Sequence, residues 1–378
     1  MSIRLMHLAD LHLGAPLSYL GPKAEQRAKD LESAFFRALE LAPEKNVHAI
    51  VIAGDLFDTF NPPPELVQRL KVALARAIAN GTPVILIPGT HDSHRYARCV
   101  YTRESFPGVD ILLDAGKPVR RELNGHPAYF YGFSGGCSNQ GASPFRRSPD
   151  GGLHIALVHG SLSDGTHWSQ GTRDFSLRPE DLRLSGFQYV ALGHHHNFKE
   201  YREDNLLAVY PGTLEGIKFG ENGDRHLIIA EIDERGTTLE RIKHNRRTLS
   251  EIRIDLSASD IRSAEELATR LLKFSDLDGI IKVSLSGLAD FLPDVQAIEA
   301  RVANSFFHLQ IEDETTVHES ETIRSAMNEN TVRGIFIRKM LERIKHGTDD
   351  DRPATELALR LGMEQFTRVG NENQQTLD

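Results

Sequence analysis

Short apolar runs alternate with amphipathic stretches over the first part of the chain. The apolar runs predict buried strands at 3–8, 49–53 and 84–87, because each is too short for a helix and has no polar face. Between them, apolar residues at helical spacing predict one helix over about 22–41 and a second that follows the prolines at 62–64 and ends near Ala79. A regular alternation of strand and helix predicts a layered α/β sheet.

The next part of the chain changes this pattern. Shorter apolar runs predict strands at 111–113, 119–123, 128–132, 153–158 and 188–192, with a long mobile loop at 134–152. Three more strands, at 206–210, 226–232 and 237–242, follow one another without helices. Residues 1–245 are therefore expected to form an α/β (α+β) domain in which two sheets make a β-sandwich flanked by helices.

The remaining residues predict a smaller domain and a helical end. A β-α-β-α-β pattern over 246–315 indicates a compact α/β domain, with strands at 250–256, 280–286 and 308–311. Two helical segments over 319–370 carry apolar stripes, and a Gly, Asp and Pro stretch at 347–353 separates them. The polar residues 371–378 are expected to be a disordered tail.

Composition narrows the class of protein. The chain has 378 residues, 40% hydrophobic and 26% charged, which is typical of a soluble globular protein. It has no apolar run of about 18 residues and no signal-peptide pattern, and its two cysteines, Cys99 and Cys137, form no disulfide framework or zinc motif. We therefore expect a cytoplasmic protein without a membrane segment. The net charge of −9 argues against a strong stand-alone nucleic-acid binder.

Acidic and imidazole side chains follow several of the predicted strands. They are Asp10, His12, Asp55, His91, His159, His194 and His196. In an α/β sheet the carboxyl ends of the strands present ligands, so these side chains are expected to meet. A mixed carboxylate and imidazole set suits Mn, Fe or Zn better than Mg or Ca. A pair of such ions would clamp a phosphoryl group and activate a water, which predicts hydrolysis of a phosphate ester.

These motifs resemble those of a known family. Asp10-x-His12, Gly54-Asp55-x-x-Asp58, Gly89-x-His91-Asp92, His159 and Gly193-His194-x-His196 are similar to the motifs of the calcineurin-like metallophosphoesterase superfamily. The segments 7–14, 210–213 and 219–221 resemble its SbcD-type branch, the nuclease subunit that works with an SMC-like ATPase of the SbcC type. The resemblance also implies that 246–315 is a capping domain and that the C-terminal helices dock on the ATPase.

The resemblance implies a role for each matching residue. It implies that one metal ion is held by Asp10, His12 and His196 and a second by Thr90, His159 and His194, with Asp55 bridging the two. His91 would face the scissile phosphate and stabilise its charge or protonate the leaving oxygen, and Asp92 would support catalysis from beside it. Asp58 would orient a neighbouring side chain, and Arg95 is a candidate for a phosphate contact.

Position 90 departs from the family pattern. The family has Asn there, whose amide oxygen ligates the second metal, whereas this chain has Thr90. A neutral hydroxyl is a shorter and poorer ligand than an amide carbonyl. We therefore expect normal metal affinity at the first site and reduced affinity at the second.

The resulting hypothesis is an enzyme, a two-metal phosphodiesterase that acts as a DNA exonuclease or endonuclease in DNA repair and recombination. Its cofactors would be two divalent ions, with Mn²⁺ expected, and its partners DNA, an SMC-like ATPase and a second copy of the chain. Two alternatives stay open: a phosphoesterase of the same superfamily that acts on a non-DNA ester, and a metal-poor scaffold that only binds a partner. The apolar stripes of the C-terminal helices could also pack within the chain.

Overall fold

The computed structural model describes residues 2–135, 145–162, 175–289, 291, 293–315, 321–348 and 351–375. The chain divides into two compact units, Met1–Thr248 and Leu249–Asp378. Cys137 and part of the loop predicted at 134–152 lie outside the described residues.

The first unit contains two sheets and four α-helices within its described residues. The helices are α1 (Ala24–Glu44), α2 (Pro64–Ala79), α3 (Val100–Arg103) and α4 (Pro179–Ser185), and a 3₁₀ helix spans Ser18–Lys23. The strands are β1 (Ile3–Leu8), β2 (Ala49–Ala53), β3 (Val84–Ile87), β4 (Val109–Ile111), β5 (Val119–Leu123), β6 (His126–Phe133), β7 (Leu153–Leu162), β8 (Phe175–Leu177), β9 (Tyr189–Gly193), β10 (Lys199–Glu203), β11 (Leu206–Tyr210), β12 (His226–Asp233) and β13 (Gly236–Lys243).

Each sheet has a parallel centre. The first has the order β13-β12-β1-β2-β3-β4, and β1 to β4 run parallel. The second has the order β10-β11-β9-β7-β6-β5, with β8 paired to β7, and β6, β7, β9 and β11 run parallel. Neighbouring parallel strands end at the same edge of their sheet, so residues that follow them in sequence are brought side by side.

The core lies between the two sheets. One continuous hydrophobic cluster includes Leu5 of β1, Val51 of β2 and Ile85 of β3 together with Ile155 of β7 and Ala191 of β9. All five side chains are fully buried. Alternate residues of the strands thus face the opposite sheet, while the other faces are covered by helices. The predicted two-sheet α/β architecture with flanking helices is confirmed.

Several short elements were missed by the sequence interpretation. They are α3, α4, β8 and β10, none longer than seven residues, and β4 lies two residues earlier than the strand predicted at 111–113. Their sequences are too short for a periodic pattern to separate them from loops. Between Phe133 and Leu153, the described residues contain no helix or strand.

The second unit has its own two cores. Strands β14 (Thr248–Asp255), β15 (Asp276–Ser286) and β16 (Phe306–Asp313) form a sheet on which α5 (Ala264–Leu272) and α6 (Val295–Val302) pack, with a 3₁₀ turn at Ala303–Ser305. Helices α7 (Glu321–Met327), α8 (Val332–His346) and α9 (Arg352–Gln375) enclose a separate cluster that includes Ile323, Ile337 and Leu359. Residues 371–375, predicted to be disordered, belong to α9.

Part of the apolar surface predicted for the C-terminal helices is therefore used within the helical segment itself. Arg360 of α9 also donates to the backbone oxygen of Asp313 at the end of β16, at 2.7 Å. Among the described helices, none combines the length and the apolarity that a bilayer crossing requires.

A buried ionic cluster joins α1 to the chain that follows β11. The guanidinium of Arg27, which is 0% exposed, donates to Oε2 of Glu215 at 2.7 Å and to the backbone oxygen of Gly216 at 2.7 Å. Nε of Arg247 donates to Oδ2 of Asp30 at 2.5 Å. A buried charge is tolerated only when it is paired and hydrogen-bonded, so these residues depend on one another.

We expect Arg27→Met to destabilise the protein by about 3–5 kcal/mol, because it leaves the Glu215 carboxylate buried without its partner. Thermal and urea unfolding measure this loss. Lys29→Met on the same helix is the control, since the Lys29–Glu25 pair is exposed and its removal should leave the unfolding midpoint unchanged. Equal effects of the two substitutions would contradict the assigned role of the cluster.

Candidate metal centre

The predicted ligands meet at the carboxyl ends of the parallel strands. Asp10 and His12 follow β1, Asp55 follows β2, and Thr90 to Asp92 follow β3, while His159 lies near the end of β7 and His194 and His196 follow β9. Three groups have ligand atoms that all lie within 4.8 Å of one another: Asp10 with His12 and His196, Asp10 with Asp55 and His159, and His12 with Asp58 and His91. The first group is the set predicted for one metal ion.

Hydrogen bonds fix the tautomers of two of these histidines. Nδ1 of His12 is 2.9 Å from Oδ1 of Asp58, and Nδ1 of His196 is 2.6 Å from Oε1 of Glu221. A carboxylate only accepts, so each Nδ1 carries the proton and each neutral ring has its lone pair on Nε2. The two Nε2 atoms lie 3.2 Å apart. Lone pairs this close repel unless a cation lies between them, and a metal ion or a proton would meet that need.

His159 repeats this arrangement in the deepest part of the site. It is fully buried, and its Nδ1 donates to the backbone oxygen of Ala53 at 2.9 Å. Its Nε2 has no hydrogen-bond partner among the described residues, although it lies 3.2 Å from Oδ2 of Asp55. In the neutral ring this Nε2 lone pair faces a carboxylate oxygen, so either a proton on Nε2 or a bound metal ion has to lie between the two atoms.

The pKa values of His159, Asp55 and Asp10 depend on one another, because an imidazole and two carboxylates lie close together in a buried site. Burial lowers the pKa of His159, but the carboxylates of Asp55 and Asp10 outweigh it and raise that pKa to about 10. Burial opposes ionisation of Asp55, yet His159, His12 and His91 hold its pKa below the usual value. Burial raises the pKa of Asp10. A proton on His159 thus competes with a metal ion, and metal binding would release it.

Glycines before the ligands allow this close approach. A Cβ on Gly89 would lie 2.1 Å from Oδ1 of Asp55, and one on Gly54 would lie 2.2 Å from Nδ1 of His159. A Cβ on Gly193 would lie 1.9 Å from the backbone oxygen of Ala53, which holds the His159 ring. Each glycine therefore makes room for a ligand on a neighbouring strand end.

The backbone is strained at the same places. Asp10, His12, Asp55 and His194 have φ values of 52°, 44°, 49° and 104°. Positive φ is unfavourable for residues with a side chain, and such strain is concentrated at functional sites. Backbone hydrogen bonds hold the turns, among them Asp10 N to Gly54 O at 3.1 Å and His12 N to Asp55 O at 3.0 Å.

Thr90 is placed beside the predicted bridging carboxylate. Its Oγ1 donates to Oδ2 of Asp55 at 3.3 Å, and the neighbouring backbone N of His91 donates to Oδ1 at 2.8 Å. The hydroxyl thus supports Asp55 and can still offer an oxygen lone pair, and its role as a metal ligand stays a prediction.

His91 and Asp92 face different surroundings. The His91 side chain is 49% exposed, and its Nδ1 donates to the backbone oxygen of Asp58 at 3.0 Å. Asp92 is fully buried and accepts from Gly89 N, Phe57 N and the Tyr101 hydroxyl. Burial and the nearby Asp55 raise the pKa of Asp92 to about 6. Its carboxylate holds the turn rather than the His91 ring, and its part in catalysis stays a prediction.

Other predicted residues lie at the margin of the site. The His194 ring packs edge-on against His159 with centroids 5.4 Å apart, and its backbone N donates to both oxygens of Asp10. Among the described residues His194 belongs to none of the three ligand groups. Arg95 is exposed on the loop after Asp92, and Cys99 is a buried free cysteine.

Two residues that orient the ligands were not singled out in the sequence. Glu221, 2% exposed, holds His196, and Arg225 donates to the backbone oxygen of His196 at 2.6 Å and to Oδ1 of Asn197 at 2.9 Å. The only signal for Glu221 was its place in the segment 219–221 that resembles the family. For Arg225 there was none, because its buried position arises from tertiary packing.

Comparison with known proteins assigns the chain. Residues 3–198, more than half of its length, match the model of the calcineurin-like phosphoesterases. The chain belongs to this family. It is 29% identical over 242 residues to the "Uncharacterized metallophosphoesterase YhaO" of Bacillus subtilis, an alignment that covers 61% of this chain and 57% of that protein.

Several relatives are named "DNA double-strand break repair protein Mre11", and two of them show the range of the alignments. The one from Thermoplasma acidophilum is 28% identical over 222 residues, or 56% of each protein. The one from Archaeoglobus fulgidus is 24% identical over 376 residues, or 92% of this chain and 82% of that protein. The chain thus aligns with little more than half the length of YhaO and of the Thermoplasma protein.

The residues of this calcineurin-like phosphoesterase fit divalent metal ions. Three imidazole Nε2 atoms and two carboxylates converge, the Nε2 of His159 lacks a hydrogen-bond partner among the described residues, and each of three glycines leaves space that a Cβ would fill. Asp10, His12 and His196 would hold one ion, and Asp55 and His159 would contribute to a second.

We expect Gly89→Ala to lower metal affinity by about tenfold or more, because its Cβ displaces the Asp55 carboxylate. Calorimetric titration with Mn²⁺ measures the change. Gly151→Ala is the matched control, since a Cβ at Gly151 meets no atom within 4 Å. Unchanged affinity in the Gly89 variant would contradict the placement of Asp55 as a ligand.

Thr90→Asn should tighten the weaker of two metal sites by about tenfold, because an amide oxygen reaches further than the hydroxyl. Thr90→Val keeps the shape of the side chain and removes its hydroxyl oxygen. It therefore distinguishes a role of Thr90 as a metal ligand from a role in packing. Two equally tight sites in the unmodified protein would contradict the expectation that Thr90 weakens the second one.

Proposed function

We propose that the protein is a metal-dependent DNA nuclease that hydrolyses phosphodiesters at DNA ends, as the nuclease subunit of an ATPase–nuclease complex in DNA repair. The observation that carries the proposal is the pair of Nε2 atoms of His12 and His196, 3.2 Å apart, beside the exposed His91. Hydrolysis of a phosphate ester needs both a cation site and a proton donor that the substrate can reach.

His91 supplies the proton in this proposal. Its Nδ1–H donates to the carbonyl oxygen of Asp58, so Nε2 is the ring atom that can carry a proton to the substrate. The ring also packs edge-on against His12 with centroids 4.6 Å apart, which fixes its direction. Protonated Nε2 can stabilise a phosphoryl oxygen and then transfer its proton to the leaving oxygen.

The metal ligands bind the ions that would activate the attacking water in this proposal. When bound, divalent ions neutralise phosphoryl charge and lower the pKa of an attacking water. Asp58 and Glu221 accept from the Nδ1–H groups of His12 and His196, which directs their Nε2 atoms into the site and makes those atoms stronger ligands. We propose two ions and Mn²⁺ as the native metal, because imidazole ligands disfavour Mg²⁺ and Ca²⁺.

DNA is the proposed substrate because relatives over much of the chain are named for repair of DNA double-strand breaks. The second candidate is a non-DNA phosphate ester. The net charge of −9 gives it only a small advantage: a polyanion is repelled at long range, but carboxylates that are paired within the protein contribute little to that field. Hydrolysis of a nitrophenyl phosphodiester without any cleavage of double-stranded DNA would support the second candidate.

We expect His91→Ala to reduce Mn²⁺-dependent degradation of linear DNA by about 10²–10⁴-fold, the usual contribution of a general acid. Metal affinity should stay unchanged, because His91 is proposed to act on the substrate and not as a ligand. His346→Ala, an exposed histidine on α8, should retain full activity. Loss of metal binding in the His91 variant would refute the division of roles.

We also propose that the C-terminal helices bind an SMC-like ATPase. Apolar side chains remain exposed on α8 and α9, with Val332 74%, Ile335 49%, Leu357 55% and Leu361 50% accessible. The inward faces of these helices already form a core, so these residues are the part left for a partner.

Binding to a coexpressed SMC-like ATPase from the same organism should be lost when residues 319–378 are removed. The double variant Ile335→Asp, Leu361→Asp should weaken it by about tenfold or more, because exposed apolar anchors become charged. Leu277→Asp, at a 71% exposed position of β15, is the control. Full binding by the truncated chain would show that the helices serve packing within the chain instead.

A homodimer and a cytoplasmic location complete the proposal. The homodimer rests on the resemblance to the SbcD-type branch, and sedimentation equilibrium of the purified chain measures it directly. The location rests on the use of cysteine, since two cysteines in 378 residues form no disulfide framework.

A further inference from the structure

An aromatic pair lies on the two segments that hold His91 and has no part in the metal centre. The rings of Phe60 and Tyr96 are stacked, with centroids 4.4 Å apart and an interplanar angle of 26°. Phe60 is half-buried, whereas Tyr96 is 41% exposed. One face of the tyrosine is therefore supported by the protein while much of the residue remains open to a ligand.

The pair is anchored to the same two segments that hold His91. Phe60 comes two residues after Asp58, whose carbonyl oxygen accepts from His91 Nδ1, and Val100 N donates to the Phe60 carbonyl oxygen at 2.8 Å. Two residues span at most about 7 Å of chain, so the phenylalanine stays close to the His91 support.

The loop that carries Tyr96 is closed by its own hydrogen bonds. Cys99 Sγ donates to the backbone oxygen of Asp92 at 3.2 Å, and Cys99 N donates to the backbone oxygen of Tyr96 at 2.9 Å. Tyr96 N donates to the backbone oxygen of Ser93 at 3.3 Å. The Phe60 and Tyr96 rings are therefore held in position before a substrate binds, which limits the entropy lost on binding.

The charge around the pair suits a nucleotide. Arg98 is exposed two residues after Tyr96, and every base has a π face that can stack on an aromatic ring. Stacked bases are about 3.4 Å apart along a strand. This spacing is smaller than the span of about 7 Å between Asp58, which holds His91, and Phe60. A base adjacent to a phosphate at His91 is therefore within reach of the aromatic pair. A base inside a duplex has both faces covered, whereas an unpaired base can place one face on an aromatic ring.

We propose that Phe60 and Tyr96 form a stacking platform for an unpaired nucleobase next to the scissile phosphate. The platform would make unpaired DNA ends better substrates than simple phosphodiesters or paired DNA. This inference rests on the proposed nuclease function and adds a specificity-determining pair to it.

The test measures binding in EDTA by fluorescence anisotropy, with a labelled short oligothymidylate and an abasic strand of the same length. Tyr96→Ala should weaken binding of oligothymidylate by about fivefold to a hundredfold, the usual effect of one lost stacking contact. Tyr96→Phe, which keeps the ring, should bind normally, and Tyr96→Leu, which keeps only apolar bulk, should resemble the alanine variant. None of them should change affinity for the abasic strand.

Cleavage with Mn²⁺ gives the second readout. The unmodified protein should cleave oligothymidylate with a lower KM than the abasic strand, and Tyr96→Ala should raise the KM for oligothymidylate while kcat stays near its original value. Equal losses on both strands, or no loss in the alanine variant, overturn the platform while the nuclease proposal stands. Failure of the unmodified protein to bind or cleave any DNA overturns both.

Discussion

The repulsion between unprotonated imidazole nitrogens is the constraint on which the site depends. His12 and His196 face each other through Nε2, and in each ring Nδ1–H donates to a carboxylate, which leaves the lone pair on Nε2. His159 is held in the same way by a carbonyl oxygen. Acceptors directed at acceptors are unfavourable in a buried site unless a cation joins them. The protein therefore folds around a centre that is complete only with bound positive charge, which links stability to metal and to pH.

The fold imposes this approach through its strand ends. Parallel strands in each of two facing sheets deliver short polar turns to one edge, and glycines at 54, 89 and 193 let those turns pack against one another. Positive φ at Asp10, His12 and Asp55 shows that the chain accepts local strain to direct the side chains inward. The free-energy cost of this strain is offset by the continuous core between the sheets, in which Leu5, Val51 and neighbouring strand residues are fully buried.

The sequence predicted this architecture because strands with apolar residues throughout are recognisable without long-range information. It also named most of the clustered side chains, since each follows such a strand directly. It could not predict that Asp92 would face Tyr101, nor that Arg225 would reach the backbone of His196, because both contacts depend on how separate turns pack. Elements such as α4 were missed because one or two helical turns are too short to show a periodic pattern of apolar residues.

The negative net charge is a poor guide to the ligand of such a protein. Its acidic residues have different local tasks: Asp55 lies among the predicted metal ligands, Asp58 and Glu221 orient histidines, and Glu215 pairs with the buried Arg27. Carboxylates that are neutralised by a guanidinium, an imidazole or a metal ion contribute little to the field that an approaching substrate meets. The exposed residues that follow His91 in the chain instead include Arg95, Tyr96 and Arg98. Substrate charge must therefore be inferred from that surface and not from the sum over the chain.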